Sequence, residues 1–355
     1  MEKHRLERIE QVRKEEEVSA LLIVSSENRY YASGFRGTAG MVLFTQQNRY
    51  LLVDFRYREQ AEKQTTGFQL VEVKDDFTTA LEKVLVKEKI ADLGFAASKI
   101  SYKKYRNFCD KLPAELIPLD DPIDKLRRIK DKQEIEYLEK AAGIADRAFE
   151  HILSYLSPGR SEREISLELE YFMKKNGGEK NSFDFIVASG QRSALPHGIA
   201  EKRKLRSGDF VTMDFGTICR GYCSDITRTV VLGSAESWQE EIYGLVNQAR
   251  AAAIRDIRPG MTGKEADNLA REIISEGGYG DCFGHGLGHG LGLEVHEQPR
   301  LSRKSDTVLK PGMVFTCEPG IYLPGRGGVR IEDDLLLTEQ GCRVLSSSTR
   351  ELLII

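Results

Sequence analysis

The chain has 355 residues, 40% hydrophobic and 30% charged, with a formal net charge of −3. That length is long for one core and suits two domains, and the composition is that of an ordinary soluble globular protein. Near-neutral charge gives no whole-chain case for nucleic acid or an anionic membrane, and no apolar run approaches the ~18 residues of a membrane-spanning helix. Residues 1–18 lack an apolar core segment, so no secretory signal is expected. The six cysteines (Cys109, Cys219, Cys223, Cys282, Cys317, Cys342) are scattered and read as cytosolic thiols rather than a disulfide framework. Cys219 and Cys223 form a pair that nothing elsewhere in the chain answers, which argues against a structural zinc site.

Along the first third, residues 5–17 carry a weakly amphipathic helix pattern and residues 20–26 an apolar strand. Residues 28–35 read as a turn leading into strands at 40–46 and 48–57. Residues 68–74 alternate as a strand should, and a helix pattern covers 77–89. Apolar runs ADLGFAA and ELIPL close the region. Strands interleaved with helices predict an α/β layer domain over 1–122. The boundary is set at 119–123, where Asp and Pro disfavour regular structure. No phosphate loop or nucleotide fingerprint occurs. Asp54, Arg56 and Tyr57 read as a solvated strand end.

The remainder, 123–355, opens with helix patterns at 131–156 and 161–175, the second behind a Ser161/Glu164 capping box. A strand is expected at 183–190, followed by His197, and two more helices at 238–257 and 263–276. Residues 205–216, LRSGDFVTMDFG, align without a gap with 309–320, LKPGMVFTCEPG, so that Asp214 matches Glu318. Each copy runs into a second acidic strand, with Asp225 in one and Glu332 in the other. Two αβ halves related by a pseudo-twofold axis, their acids meeting at the centre, are the reading this repeat supports.

Residues 282–299, CFGHGLGHGLGLEVHEQP, place His285, His289 and His296 among five glycines. Glycine lets backbone approach closely, and imidazoles near carboxylates suggest a metal or acid–base centre. Four carboxylates converging without counter-charge repel and are costly to bury. Two divalent cations carry +4, and such a pair activates a water between them. Oxygen-rich ligation with one imidazole favours Mn²⁺-like ions.

The motifs MDFG, SDITRT, HGLGHGLGLEVHE, CEPGIY and RIED, all unbroken here, resemble the M24-type metallopeptidase family of aminopeptidase P, prolidase (Xaa-Pro dipeptidase) and methionine aminopeptidase, which share the pita-bread fold. The first domain is similar to the creatinase-like N-terminal domain of the prolyl members. The resemblance implies a dinuclear-metal peptidase that hydrolyses Xaa-Pro bonds and releases the N-terminal residue. The cofactors it implies are two divalent ions, Mn²⁺ with Co²⁺ or Zn²⁺ as alternatives. By the same resemblance Asp214 ligates one metal, Asp225 and Glu332 bridge both, and His289 with Glu318 completes the other. His285 orients substrate, His296 donates to the scissile carbonyl or its oxyanion, and Glu318 relays the proton. His197 sits by the proline pocket, and Tyr322 and Arg330 line the site. A proline-containing peptide substrate, a homodimer and a cytoplasmic location are implied as well. A dipeptidase must also neutralise a free carboxylate, for which Arg300, Arg303, Arg326 and Arg330 are candidates. A metal-free creatinase-type hydrolase and a non-catalytic binding protein on the same fold are the alternatives; an intact ligand set opposes both.

Overall fold

The computed structural model describes residues 3–355; residues 1 and 2, the start of the first expected domain, lie outside them. The chain divides into two compact units that part after Arg127.

The first unit runs α1 (Lys3–Glu15), β1 (Ala20–Ile23), α2 (Ser26–Ser33), β2 (Met41–Phe44), β3 (Arg49–Asp54), α3 (Arg58–Gln64), β4 (Gln69–Val73), α4 (Phe77–Glu88), β5 (Asp92–Ala96), α5 (Tyr102–Lys111), β6 (Glu115–Leu119) and α6 (Pro122–Arg127). Its six strands form one mixed sheet in the order β4-β3-β2-β1-β5-β6. Two expectations change. Residues 28–33 are helical rather than a turn: Ser25 caps α2 by accepting the Asn28 N–H, and Gly34, at φ 76°, ends it in the left-handed conformation that glycine tolerates. The boundary also moves past 122, because α6 is tied into this unit. Asn28 Nδ2 donates to Asp124 Oδ1 (2.6 Å), and the buried Arg127 donates to Asn28 Oδ1 (2.7 Å).

The second unit begins with α7 (Lys132–Leu153), α8 (Glu162–Lys175), β7 (Ile186–Ser189), β8 (Phe210–Phe215), β9 (Ile218–Cys219), β10 (Tyr222–Cys223) and β11 (Ile226–Val231). It continues with α9 (Ser237–Asp256), α10 (Gly263–Glu276), β12 (Gly288–Gly290), β13 (Glu297–Leu301), β14 (Val314–Cys317), β15 (Gly320–Leu323), β16 (Gly327–Arg330), β17 (Asp333–Thr338) and β18 (Gly341–Val344). All four helices start in capping boxes, Asp131/Glu134, Ser161/Glu164, Glu236/Gln239 and Thr262/Glu265.

The internal repeat has a structural counterpart. The sheet order β11-β8-β7 is echoed by β17-β14-β12 within the larger sheet β13-β12-β14-β17-β18. In each half, the central strand leaves through a small hairpin (β9–β10; β15–β16) and returns antiparallel. Each helix pair packs on its own half: Ile144, Phe149, Ile165 and Leu169 against Val187, Met213 and Phe215, and Ile242, Val246, Ala270 and Ile274 against Phe315 and Leu335. The registers are not identical. Asp214 sits inside its ladder opposite Thr227, whereas its counterpart Glu318 lies one residue beyond the last pair, Cys317 with Asp333.

The halves are riveted by a buried ionic cluster. Asp333 receives Arg228 Nη2 (2.8 Å), Arg250 Nη1 (2.8 Å) and Arg350 Nη2 (2.7 Å). Arg228 also donates to the backbone carbonyls of Thr227 and Glu332, joining β11 to the segment before β17. The three guanidiniums hold the Asp333 carboxyl well below the usual carboxylate range against the cost of burial. Removing one member of a buried pair leaves charge uncompensated and costs ~3–5 kcal/mol. Asp333→Ala should therefore lower the melting temperature by on the order of 10 °C in thermal unfolding.

Candidate metal centre

Five acidic and imidazole side chains meet where the two halves face each other. Asp214 comes from β8, and Asp225 immediately precedes β11. His289 lies in β12, Glu318 follows β14, and Glu332 stands between β16 and β17. Asp225, His289 and Glu332 each offer a ligand atom within 4.8 Å of the others. His289 Nε2 lies 3.4 Å from Glu318 Oε1 and 3.7 Å from Asp225 Oδ2. Asp214, Asp225, His289 and Glu332 are buried, and all five line one cavity of about 490 Å³.

Local sequence explains why His289 can be there. A Cβ on Gly288 would stand 1.9 Å from the Thr316 carbonyl oxygen, and one on Gly290 would stand 2.3 Å from that of Gln298. Only glycine on both sides lets β12 lie this close to its neighbours. A register shift between His289 and Gly290 marks a bulge in the β12–β13 ladder, a device that re-aims a side chain.

The electrostatics fit a cation site. His289 Nδ1 faces the Gly290 carbonyl (3.2 Å), which can only accept, so the proton sits on Nδ1 and the Nε2 lone pair faces the carboxylates. Burial lowers the pKa of this imidazole to about 3, keeping it in the neutral form that a metal requires. Burial raises Asp214, and it raises Asp225 and Glu332 further because neighbouring carboxylates reinforce it; Glu318 is pushed to about 7. Asp214 Oδ1 and Asp225 Oδ1 are buried without a hydrogen-bond donor in the protein. A histidine lone pair and carboxylates gathered in one cavity repel unless a cation lies among them. The donor set, four carboxylates and one imidazole, suits hard divalent ions.

Around this centre stand the remaining residues marked in the sequence. His197, His285 and His296 line the cavity, as do Arg300 and Arg330. The His285 Nδ1 faces the Gly286 carbonyl (2.8 Å), and its Nε2 lies 2.9 Å from Tyr322 Oη. Burial lowers the pKa of His285 to about 4. The His296 ring meets His289 edge-on, at 4.3 Å between centroids. Tyr322 is buried behind His285 and accepts from Arg330 Nη1 (2.9 Å). Arg330 also donates to Asp214 Oδ2 (2.6 Å), Thr227 Oγ1 (3.0 Å) and the Pro196 carbonyl (3.1 Å). His197 rides on a loop closed at both ends by Glu162, which accepts from Ser189 N (2.8 Å) and Glu201 N (3.1 Å).

Comparison with known proteins agrees with this geometry. Residues 136–339 match the family model described as metallopeptidase family M24, and residues 5–129 match the creatinase/prolidase N-terminal domain. This chain belongs to metallopeptidase family M24. It is 44% identical to the Xaa-Pro dipeptidase of Pyrococcus furiosus, over 99% of this chain and 100% of that one. Among solved structures it is similar to an Xaa-Pro dipeptidase from Bacillus anthracis (47% identity, TM-score 0.97, 99% of each chain). It is also similar to an X-Pro aminopeptidase from Thermotoga maritima MSB8 (39% identity, TM-score 0.93, 97% of this chain and 100% of that one).

In this M24 chain, two threonines that sequence reasoning passed over hold the acids. Thr227 Oγ1 donates to Glu332 Oε2 (2.6 Å) and accepts from Arg330 Nε (3.0 Å). Thr316 Oγ1 donates to Glu318 Oε1 (3.2 Å) and accepts the His289 N–H (3.1 Å). Asp334, also buried, accepts the Asp225 N–H (3.1 Å). Only their places inside SDITRT, the repeated strand and RIEDD could have flagged them. Loss of such supporting hydrogen bonds typically costs 10–100-fold in metal affinity. Thr227→Val should weaken divalent-metal binding by that order in a calorimetric titration, with the ordered fold retained by circular dichroism.

Proposed function

We propose that this chain is a metal-dependent exopeptidase that cleaves Xaa-Pro bonds, with a preference for dipeptides. The observation that carries this reading is the buried cluster of Asp225, His289 and Glu332, flanked by Asp214 and Glu318, on a cavity also lined by His197, His285 and His296. Asp214 would serve one cation, His289 and Glu318 the other, and Asp225 with Glu332 both. When bound, two divalent ions, Mn²⁺ by the oxygen-rich shell, activate a water and polarise a carbonyl.

The chain's own residues do the rest. Glu318, which Thr316 holds beside His289, would take and return a proton during the reaction. His296, beside the ligand His289, is placed to donate to a carbonyl oxygen that gains charge in the transition state. His285, fixed between Gly286 and Tyr322, presents an ordered imidazole to the substrate. Phe183, Ile186, Ile199 and Val295 give the cavity an apolar wall suited to a ring that has no N–H to satisfy.

Among the four arginines weighed for a dipeptide's carboxylate, geometry favours Arg300. It lines the cavity and lies opposite His289 in the β12–β13 ladder. Arg330 is fully engaged with Asp214, Thr227, Tyr322 and Pro196. Arg326 lies over the Trp238 ring, 4.4 Å from its centroid, and Arg303 lines a neighbouring cleft.

Chelation should abolish turnover reversibly, and full activity in metal-free protein would sink the reading. Asp225→Asn should lose bound metal together with activity. His296→Ala should keep its metal, measured by elemental analysis, while losing on the order of 10²–10³ in rate, the typical loss for an oxyanion donor. A charge-assisted hydrogen bond contributes ~1.5–3 kcal/mol. Arg300→Met should accordingly raise KM for Xaa-Pro dipeptides by roughly 10-fold or more, while changing turnover of C-terminally amidated Xaa-Pro substrates far less.

A further inference from the structure

Helix α10 carries a buried ion pair that the proposed chemistry does not use. Asp267 is fully buried and Arg271 nearly so, one turn apart on the face turned toward residues 283–287. Arg271 grips Asp267 with Nε (2.6 Å) and Nη2 (2.9 Å). Its remaining donors reach the loop backbone: Nη1 to the Phe283 carbonyl (2.9 Å) and Nη2 to the His285 carbonyl (2.6 Å). Asp267 Oδ1 in turn accepts the Leu287 N–H (2.9 Å). Alternate residues of the glycine-rich loop are thus held at 283, 285 and 287. The Leu287 carbonyl then accepts the Glu318 N–H (2.8 Å).

Side chains follow the same path. The Arg271 guanidinium lies 4.1 Å from the Phe283 ring centroid, and the Phe283 ring meets the His285 ring edge-on at 5.1 Å. Burying two charges stabilises a fold no better than a well-packed apolar pair would. A planar guanidinium can, however, serve a carboxylate and two carbonyls at once, which an ammonium cannot. Gly284 and Gly286 leave this loop little steric definition of its own, so something outside it must set its path.

We infer that Asp267 and Arg271 are positioning residues that clamp the loop and thereby fix the His285 imidazole against Tyr322 in the wall of the metal cavity. The inference rests on the peptidase reading for its kinetic consequence only. Misplacing a substrate-orienting group by ~1 Å can cost on the order of 10²-fold.

Arg271→Lys keeps the charge pair and removes the fork. It should lower kcat/KM for an Xaa-Pro dipeptide by roughly 10–100-fold with metal content unchanged, and the loss should shrink to within about twofold in a His285→Ala background, since coupled residues are non-additive. Equal losses in both backgrounds, metal lost in parallel with activity, or no loss at all would overturn the clamp. A readout independent of turnover is the His285 Hε1 NMR signal of the apo-protein, assigned by its disappearance in His285→Ala. It should shift in Arg271→Lys while His4 and His151 stay in place, and an unmoved His285 signal refutes the inference. Asp267→Asn, which keeps an acceptor for the Leu287 N–H, is judged by the same criteria should the lysine variant not fold. A wild-type protein inactive on Xaa-Pro peptides would count against the peptidase reading, leaving the NMR result to decide the clamp.

Discussion

The constraint that the second unit is built around is the repulsion among Asp214, Asp225, Glu318 and Glu332. Four carboxylates in one cavity, three of them buried, are not a stable arrangement on their own. The protein compensates one of them, with Arg330 on Asp214, and leaves the others facing a histidine lone pair. Burial therefore drives these acids toward the protonated form, and divalent cations are what would let them all ionise together. Metal binding and the stability of this centre are in that sense one equilibrium.

Holding such a centre open demands rigid surroundings, and they come in matched pieces from the two halves. Thr227 and Thr316 each link an acid to a second site residue. Arg330 spans Asp214, Thr227, Tyr322 and the loop carrying His197, so one guanidinium orients groups from both halves. The cost of this order is met away from the cavity. Asp333, next in sequence to Glu332, turns the other way into three arginines, and Asp334 takes the Asp225 N–H. Adjacent residues of RIEDD thus serve the site, through Arg330 and Glu332, and the frame behind it, through Asp333.

The halves are related but not equivalent, and the difference has chemical use. The two central ladders end at different points, which leaves Asp214 within a strand and Glu318 beyond one. Asp214 is accordingly pinned by Arg330, while Glu318 is held by Thr316 and its own backbone and faces His289. The duplicated frame thus presents one acid fixed by a guanidinium and one held by a hydroxyl.

By itself the sequence determined the elements that depend on local pattern and repetition. Helices α7 to α10 were legible because their 3.6-residue periodicity, and for α8 the Ser161/Glu164 capping box, are local, and the two halves because Asp214 and Glu318 recur in step. The acids and histidines of the centre were legible for the same reason, concentrated as they are in unbroken motifs. Tertiary structure decided what depends on distant partners. That residues 28–33 belong to a helix turned on caps at Ser25 and Gly34, and the end of the first unit turned on Arg127 reaching back to Asn28. Which of four arginines line the cavity, and that Thr227, Thr316 and Asp267 bond to residues of the site and its loop, depend on side-chain direction across strands and helices far apart in the chain. Periodicity records which face of an element is buried; only packing determines which neighbour that face meets.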